Sequence, residues 1–399
     1  MNAAVILSGG AEIGALAVAE SLHRGRIPYY VLSLKRRSLI EGAPGSRGYA
    51  ELAEFVGSPD LLAERLVDRL ADWSSSGRLV VFATEDGGLR TLNECAPHIL
   101  SFADFPRARM LRMGGLDKAE FYEFLHACGA HAVLPRTEVI ESEAEAERAL
   151  ERFGADAVFK PALKPWDMDL SAMGAKIVTR GAGDRSADDV LERLRRAWSL
   201  SRRWIVQERL QAYPQGERGV WLVRGRAVTR VMQVDERWKY PERGGTACWV
   251  RTTTDRDLER PVLEVVDRLD HVGLAEAAFL CAPGGGGRLL ELNPRAWLQV
   301  GLAEAVGLDA VAGSFRALTG QADNDSPSPT ADGSWVNVER CLLAIASKSA
   351  ESRLAKLAKF FGALAAGPLL AVYSTRFPRT RWRWIAGLFA RVIRPGVGV

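Results

Sequence analysis

Apolar and polar positions change period several times along this chain, and each change marks an element. Ala3-Ala4-Val5-Ile6-Leu7 is an unbroken apolar run closed by Ser8-Gly9-Gly10, the pattern of a strand buried on both faces. A helical pattern follows through His23, then a second short run, Tyr29-Tyr30-Val31-Leu32-Ser33, so the chain opens as a β-α-β unit. Arg78-Leu79-Val80-Val81-Phe82-Ala83-Thr84-Glu85-Asp86 reads as another strand, with two acids at the carboxyl end where open α/β sheets place ligands. Further on, strands are joined by tight turns. Val220-Trp221-Leu222-Val223 and the run 227–232 flank Arg224-Gly225-Arg226, and the runs 273–280 and 289–293 flank Pro283-Gly284-Gly285-Gly286-Gly287. Both predict antiparallel hairpins.

The second hairpin carries the most telling chemistry. Strand residues two apart share a face, so Glu291, Asn293 and Arg295 are expected on one side and Leu290 and Leu292 on the other. The arm lengths put Glu276 beside Glu291 near the open end. Like charges placed opposite each other destabilise a sheet, so an uncompensated carboxylate pair points to a cation. Oxygen donors suit hard Mg²⁺, which is usually held by one or two carboxylates plus substrate phosphates. Read alone, the segment is equally a strand edge blunted by charge.

In motif and order the chain resembles the ATP-grasp superfamily, in particular its carboxylate-amine ligase-like members of the carbamoyl-phosphate synthase and biotin carboxylase type. The resemblance rests on Glu276 and Glu291-Leu292-Asn293-Pro294-Arg295, preceded in order by Asp117-Lys118, Val158-Phe159-Lys160-Pro161, Ile205-Val206-Gln207-Glu208-Arg209-Leu210 and Gln215-Gly216-Glu217. It implies ATP as nucleotide, with Lys118 and Lys160 at its phosphates, the backbone of Gln207, Glu208, Arg209 and Leu210 at adenine, and Glu217 at ribose. It also implies Mg²⁺ (or Mn²⁺) on Glu276, Glu291 and Asn293, and Arg295 at phosphate or substrate. Lys160 ends an apolar strand before a proline, so its side chain should project into a cleft. Lys164 and Lys176 flank Trp166, Asp167, Asp169 and Gly174, the expected phosphate-covering loop; Trp238 to Ala247, with Gly244 and Gly245, resembles a substrate loop.

The fold expected is mixed α/β and α+β. A Rossmann-like domain over 1–115 precedes a two-lobed ATP-grasp domain over 116–320, its lobes about 116–206 and 207–320. A linker over 321–339 leads to a basic, mainly helical region over 340–399. The reaction implied by the resemblance is ADP-forming: a carboxylate becomes an acylphosphate and an amine attacks it. Carboxylation or phosphoryl transfer on the same fold stays open, as does a membrane-associated nucleotide-binding protein without ligase activity.

Composition narrows the setting. Gly9, Gly10 and Gly14 miss the Gly-x-Gly-x-x-Gly spacing and Lys35, Arg36 and Arg37 stand where an acid would meet ribose, so dinucleotide binding is not expected. Five scattered cysteines suit reduced thiols, and His126 and His131 read as structural. The amino end lacks a basic region before its short apolar run, so a cytoplasmic location is expected. The net charge of +4 hides a polarised chain. From Arg340 onward eleven Lys or Arg face the single acid Glu351, a balance of +10, which leaves −6 for residues 1–339. Arginine interleaved with tryptophan at Arg376, Arg379, Arg381, Trp382, Arg383 and Trp384 suits a membrane interface. Expected partners are therefore a small-molecule carboxylate and amine, peripheral contact of 376–394 with the inner face of a membrane, or a homodimer in which this helix packs on protein. Nucleic acid is not expected.

Overall fold

The computed structural model describes residues 1–154, 157–164, 187–198, 201–210, 216–225, 229–242, 245–254, 256–282, 286–321, 328–329, 332–347, 351–372 and 375–393. Its first part contains β1 (Ala3–Ser8), α1 (Glu12–Arg24), β2 (Tyr29–Ser33), β3 (Ser46–Glu51), α2 (Pro59–Ser74), β4 (Leu79–Ala83), α3 (Asp86–Ile99) and β5 (Ala103–Asp104). The five strands form a parallel sheet in the order β3-β2-β1-β4-β5. Every residue of β1 and β4 is buried because helices cover both faces. Ile6 and Phe82 pack with Leu16 and Leu22 of α1, while Val5 and Val81 pack with Leu66 of α2 and Leu92 of α3. Strand order reverses between β1 and β4, which opens a crevice outside their carboxyl ends.

Short β6 (Arg107–Ala108) and α4 (Lys118–Ala127) lead to β7 (Thr137–Ile140), α5 (Glu143–Phe153), β8 (Ala157–Pro161), α6 (Ala187–Trp198) and β9 (Trp204–Glu208). These three strands make an antiparallel sheet ordered β7-β9-β8. Phe159, Trp204 and Val206 join the core under α5 and α6, so strand alternation turns Lys160 and Gln207 to the opposite face.

The large sheet follows. It is built from β10 (Glu217–Arg224), β11 (Thr229–Tyr240), β12 (Thr246–Thr253), α7 (Glu259–Arg268), β13 (His271–Cys281), β14 (Gly287–Asn293), α8 (Val300–Ala305), α9 (Ala310–Thr319), β15 (Ser334–Val336), α10 (Val338–Ala346), α11 (Arg353–Ala365), β16 (Leu369–Leu370) and α12 (Pro378–Ile393). The order is β14-β13-β10-β11-β12-β15-β16, with β6 also pairing to β13. Both expected hairpins are present: Arg224 lies opposite Thr229, and Glu276 opposite Asn293. Their tips, 226–228 and 283–285, lie outside the described residues. The stretch from Trp238 to Ala247 is mostly strand, with Lys239 opposite Ala247; Arg243 and Gly244 lie outside the described residues. Ser334–Val336, within the segment expected to link the last two regions, adds a strand beside β12.

One expectation for β14 changes. Leu289 lies opposite Phe279 but Glu291 opposite Ala278, so a bulge inserts Leu290 as an extra residue. The buried apolar pair is therefore Leu289 and Leu292, and Leu290 is only half-buried. Tyr122, buried on α4, donates its hydroxyl to the carbonyls of Leu290 (2.8 Å) and Leu289 (3.2 Å), satisfying groups that the bulge removes from the ladder.

The last helix is partly anchored. Arg383 donates to the Glu41 carbonyl at 2.9 Å, and Trp384 Nε1 to Glu339 at 3.0 Å. Among the described residues no helix is long and apolar enough to cross a membrane.

Candidate functional site

Three strands of the large sheet carry acids toward one point. Glu276, half-buried on β13, lies opposite Asn293 on one side and Trp221 on the other, and accepts from Trp221 Nε1 at 3.3 Å. Asn293 Nδ2 donates to Glu291 Oε1 at 3.3 Å, which leaves the amide oxygen for another partner. Glu236 on β11 joins them at a register shift between Glu236 and Trp238. Burial pushes the Glu276 carboxyl up to about 7, and the charges of Glu236 and Glu291 add to the rise. Glu236 is likewise raised, by burial first. Mutually opposed, half-buried carboxylates beside an amide are a donor set that a hard cation would relieve. Among the described residues no group of three or more His, Cys, Asp or Glu side chains forms a metal cage. The set thus fits an ion such as Mg²⁺ that completes its shell with phosphate and water.

Cations surround these acids. Asp117 caps α4 by accepting from Glu120 N at 3.1 Å, and Lys118 N donates to Ala162 O at 2.7 Å, so the helix starts against the end of β8. That places the Lys118 ammonium 3.9 Å from Glu291. Burial opposes ionisation of Glu291, yet Lys118 and Lys160 hold its carboxyl below the ordinary value. Lys160 donates to Gln207 Oε1 at 2.8 Å, and Gln207 Nε2 donates to Thr137 at 2.9 Å. Lys239 pairs with Glu236 at 3.0 Å and with Glu217. Burial disfavours its charge, but the two carboxylates raise its pKa on balance.

The first sheet meets this cluster at its crevice. Arg295 Nε donates to Asp86 Oδ1 at 2.6 Å, and Ala296 N donates to Ala83 O at 3.0 Å. Despite burial, Arg295 holds the Asp86 carboxyl down at about 2. Beside it Glu85 accepts from Gly10 N at 2.5 Å, and a Cβ on Gly9 would fall on that carboxylate, which is why glycine stands there.

Lys118, Lys160, Glu276, Glu291, Asn293 and Arg295 therefore gather in one cluster, with Gln207 attached through Lys160 and Glu217 through Lys239. Glu208, Arg209 and Leu210 continue away along and beyond β9, half-buried; Glu208 exchanges bonds with Arg136, donating N–H to its carbonyl at 3.0 Å and accepting from its N–H at 2.9 Å. Gln215 and residues 165–176 of the expected phosphate-covering loop lie outside the described residues. Glu236 is not among the residues expected at the site, and Lys239 is expected only as part of the Trp238–Ala247 substrate loop. Their spacing was visible, but the register shift that aims Glu236 depends on the partner strand.

The architecture matches solved structures with ATP-grasp folds. An ADP complex of N5-carboxyaminoimidazole ribonucleotide synthetase is 13% identical over 92% of this chain and 97% of that one, with a TM-score of 0.64. An L-amino acid ligase from Bacillus licheniformis is 13% identical over 84% of this chain and 78% of that one (TM-score 0.60). Biotin carboxylase from Campylobacter jejuni, in a β,γ-ATP complex, is 12% identical over 83% of this chain and 74% of that one (TM-score 0.59). No family model and no curated protein matches the sequence.

Proposed function

We propose that this chain, whose fold is ATP-grasp, is an ADP-forming ligase that joins a carboxylate to an amine. The observation that carries the reading is the convergence of Glu236, Glu276, Glu291 and Asn293 with Lys118, Lys160, Lys239 and Arg295 at the mouth of the β1/β4 crevice. Glu276, Glu291 and Asn293 would hold Mg²⁺, which supplies charge compensation across phosphate oxygens. Lys118 and Lys160 meet the polyphosphate as compact ammonium charges. The 207–210 segment lies along adenine, and Glu217 meets ribose with one carboxylate oxygen while Lys239 holds the other.

A substrate carboxylate oxygen attacks the γ-phosphorus, the bond to ADP breaks, and an acylphosphate forms. The amine nitrogen then attacks the acyl carbon, phosphate departs, and the nitrogen loses its proton. Arg295, fixed by Asp86, neutralises charge on the transferred phosphoryl group between nucleotide and crevice. The acceptor occupies the crevice beside Gly10 and Glu85. An ATP-using ligase with five cysteines, none of them in a disulfide, fits a cytoplasmic setting.

A phosphate-release screen over acid and amine pairs, each member omitted in turn, tests the proposal. Release that needs both members supports ligation; release that needs bicarbonate instead makes the enzyme a carboxylase. Saturating Mg·ATP should raise the melting temperature, since a ligand at about 100 times its Kd adds about 2.7 kcal/mol. No rise would overturn the nucleotide site itself.

A further inference from the structure

Of the eight large apolar side chains that face solvent among the described residues, three (Met1, Leu61 and Met110) are scattered and five lie in one region. Among the described residues Leu342, Leu343, Leu354, Phe361 and Trp382 are 49 to 79% exposed, and all lie in the carboxyl-terminal region. Isolated exposed apolar residues are ordinary, but a cluster marks an interaction surface.

Helix α11 shows how the cluster arises. Phe360 and Ala363 are buried, with Leu357 and Leu364 packed beside them, so that face belongs to the protein core. Leu354, Ala358, Phe361 and Ala365, spaced i, i+4, i+7 and i+11, form a second apolar stripe, and all four are exposed. A helix on the surface of a protein normally turns polar residues that way. Leu342 and Leu343 extend the apolar surface onto α10, which α11 contacts. The Trp384–Glu339 bond holds α12 against α10, and exposed Arg379, Trp382 and Arg383 share one face of α12.

Charge decides between the occupants. The region from Arg340 onward carries +10, so a second copy would bring like charge onto like charge. We propose that the outward face of α10 and α11 docks on an anionic lipid surface. Leu354 and Phe361 enter the boundary between headgroups and acyl chains, Trp382 lies at headgroup level, and Arg353, Arg376 and Arg379 meet lipid phosphates. From this face a path through Phe360 and Trp238 leads to Lys239 at the site. Phe361 faces outward while Phe360 faces inward and stacks on Trp238, with ring centroids 6.5 Å apart, and Trp238 precedes Lys239 on β11.

The test is co-sedimentation of the full chain with vesicles of phosphatidylcholine alone or mixed with phosphatidylglycerol. The protein should pellet with the anionic vesicles only. L354E/F361E should lower partitioning by about a hundredfold. R376A/R379A should lower it by about 25-fold, from about fivefold per surface cation. Both variants should keep the wild-type melting temperature and its response to Mg·ATP. Absence of wild-type binding to anionic vesicles, or unchanged binding by L354E/F361E, overturns the proposal. A dimer that L354E/F361E dissociates, without vesicle binding, would make a second copy the occupant and overturn it as well.

Discussion

From the β14 edge of the large sheet inward to β11, acids and bases interleave: Glu291 lies beside Lys118, Glu236 beside Lys239, and Arg295 on Asp86. Toward the opposite β16 edge, the charged residues of α10, α11 and α12 are cations except Glu339, and these helices turn apolar side chains outward. At the first edge charge is balanced within the protein and partly shielded from water, so it shifts proton affinities and is arranged around something small. At the second, Lys359 pairs with Glu351 and Arg383 with Glu41, but cations outnumber acids, and under the proposal above their complement is an external, broad surface. On the readings proposed above, the same residue types serve a small ligand or an extended surface according to how far the fold supplies their counter-charges.

The sharpest test of this contrast is Glu291→Gln. Turnover should fall by about a thousandfold, the scale of losing a major electrostatic element from phosphoryl transfer, with an unchanged melting curve and vesicle binding. Near-normal turnover would remove Glu291 from the metal set. The reciprocal experiment is L354E/F361E assayed without vesicles. Vesicle partitioning should drop by about a hundredfold while phosphate release in solution stays within about twofold of wild type. A large loss of solution turnover would show that the two edges are not separable.

Asp86→Asn probes the balance inside the site. It frees Arg295 and should lower turnover by about tenfold, as for other groups that orient a working side chain. The folded carboxyl titrates at about 2 against 3.8 for the ordinary group. The ion pair's contribution is therefore complete above pH 3.8 and lost as pH falls through 2. In urea melts the variant should be weaker at neutral pH, with the difference shrinking across that window. A difference independent of pH would mean that charge is not what Asp86 contributes. Smallest is Tyr122→Phe, which leaves the bulge carbonyls of Leu289 and Leu290 without their donor. It should cost about 1 kcal/mol of stability, measured by denaturant unfolding; no change would mean that water replaces the hydroxyl fully.

Local pattern carried much of this structure. Val5 and Val81 sit in unbroken apolar runs closed by turn residues, and both became strands buried on two faces. Glu276 and Glu291 flank a glycine-rich turn, so their hairpin could be read from spacing alone. What could not be read depends on a distant partner. Leu290 is an extra residue only because β13 offers nothing opposite it, and Glu236 turns to the site only where β11 and β12 lose register. Ser334–Val336 gains its strand from β12, far away in sequence. For α11 spacing alone does not say which of its two apolar sides meets the core: Phe360 is buried, whereas Leu354 and Phe361 face outward.

The bond from Ala296 N to Ala83 O, next to the Arg295–Asp86 pair, has a mechanical consequence. It ties the chain just after β14 to the carboxyl end of β4, so Arg295 and Asp86 are held together through backbone as well as side chain. Under the proposed reaction, the distance from acceptor to phosphoryl group would be set by backbone contacts rather than by side-chain rotamers.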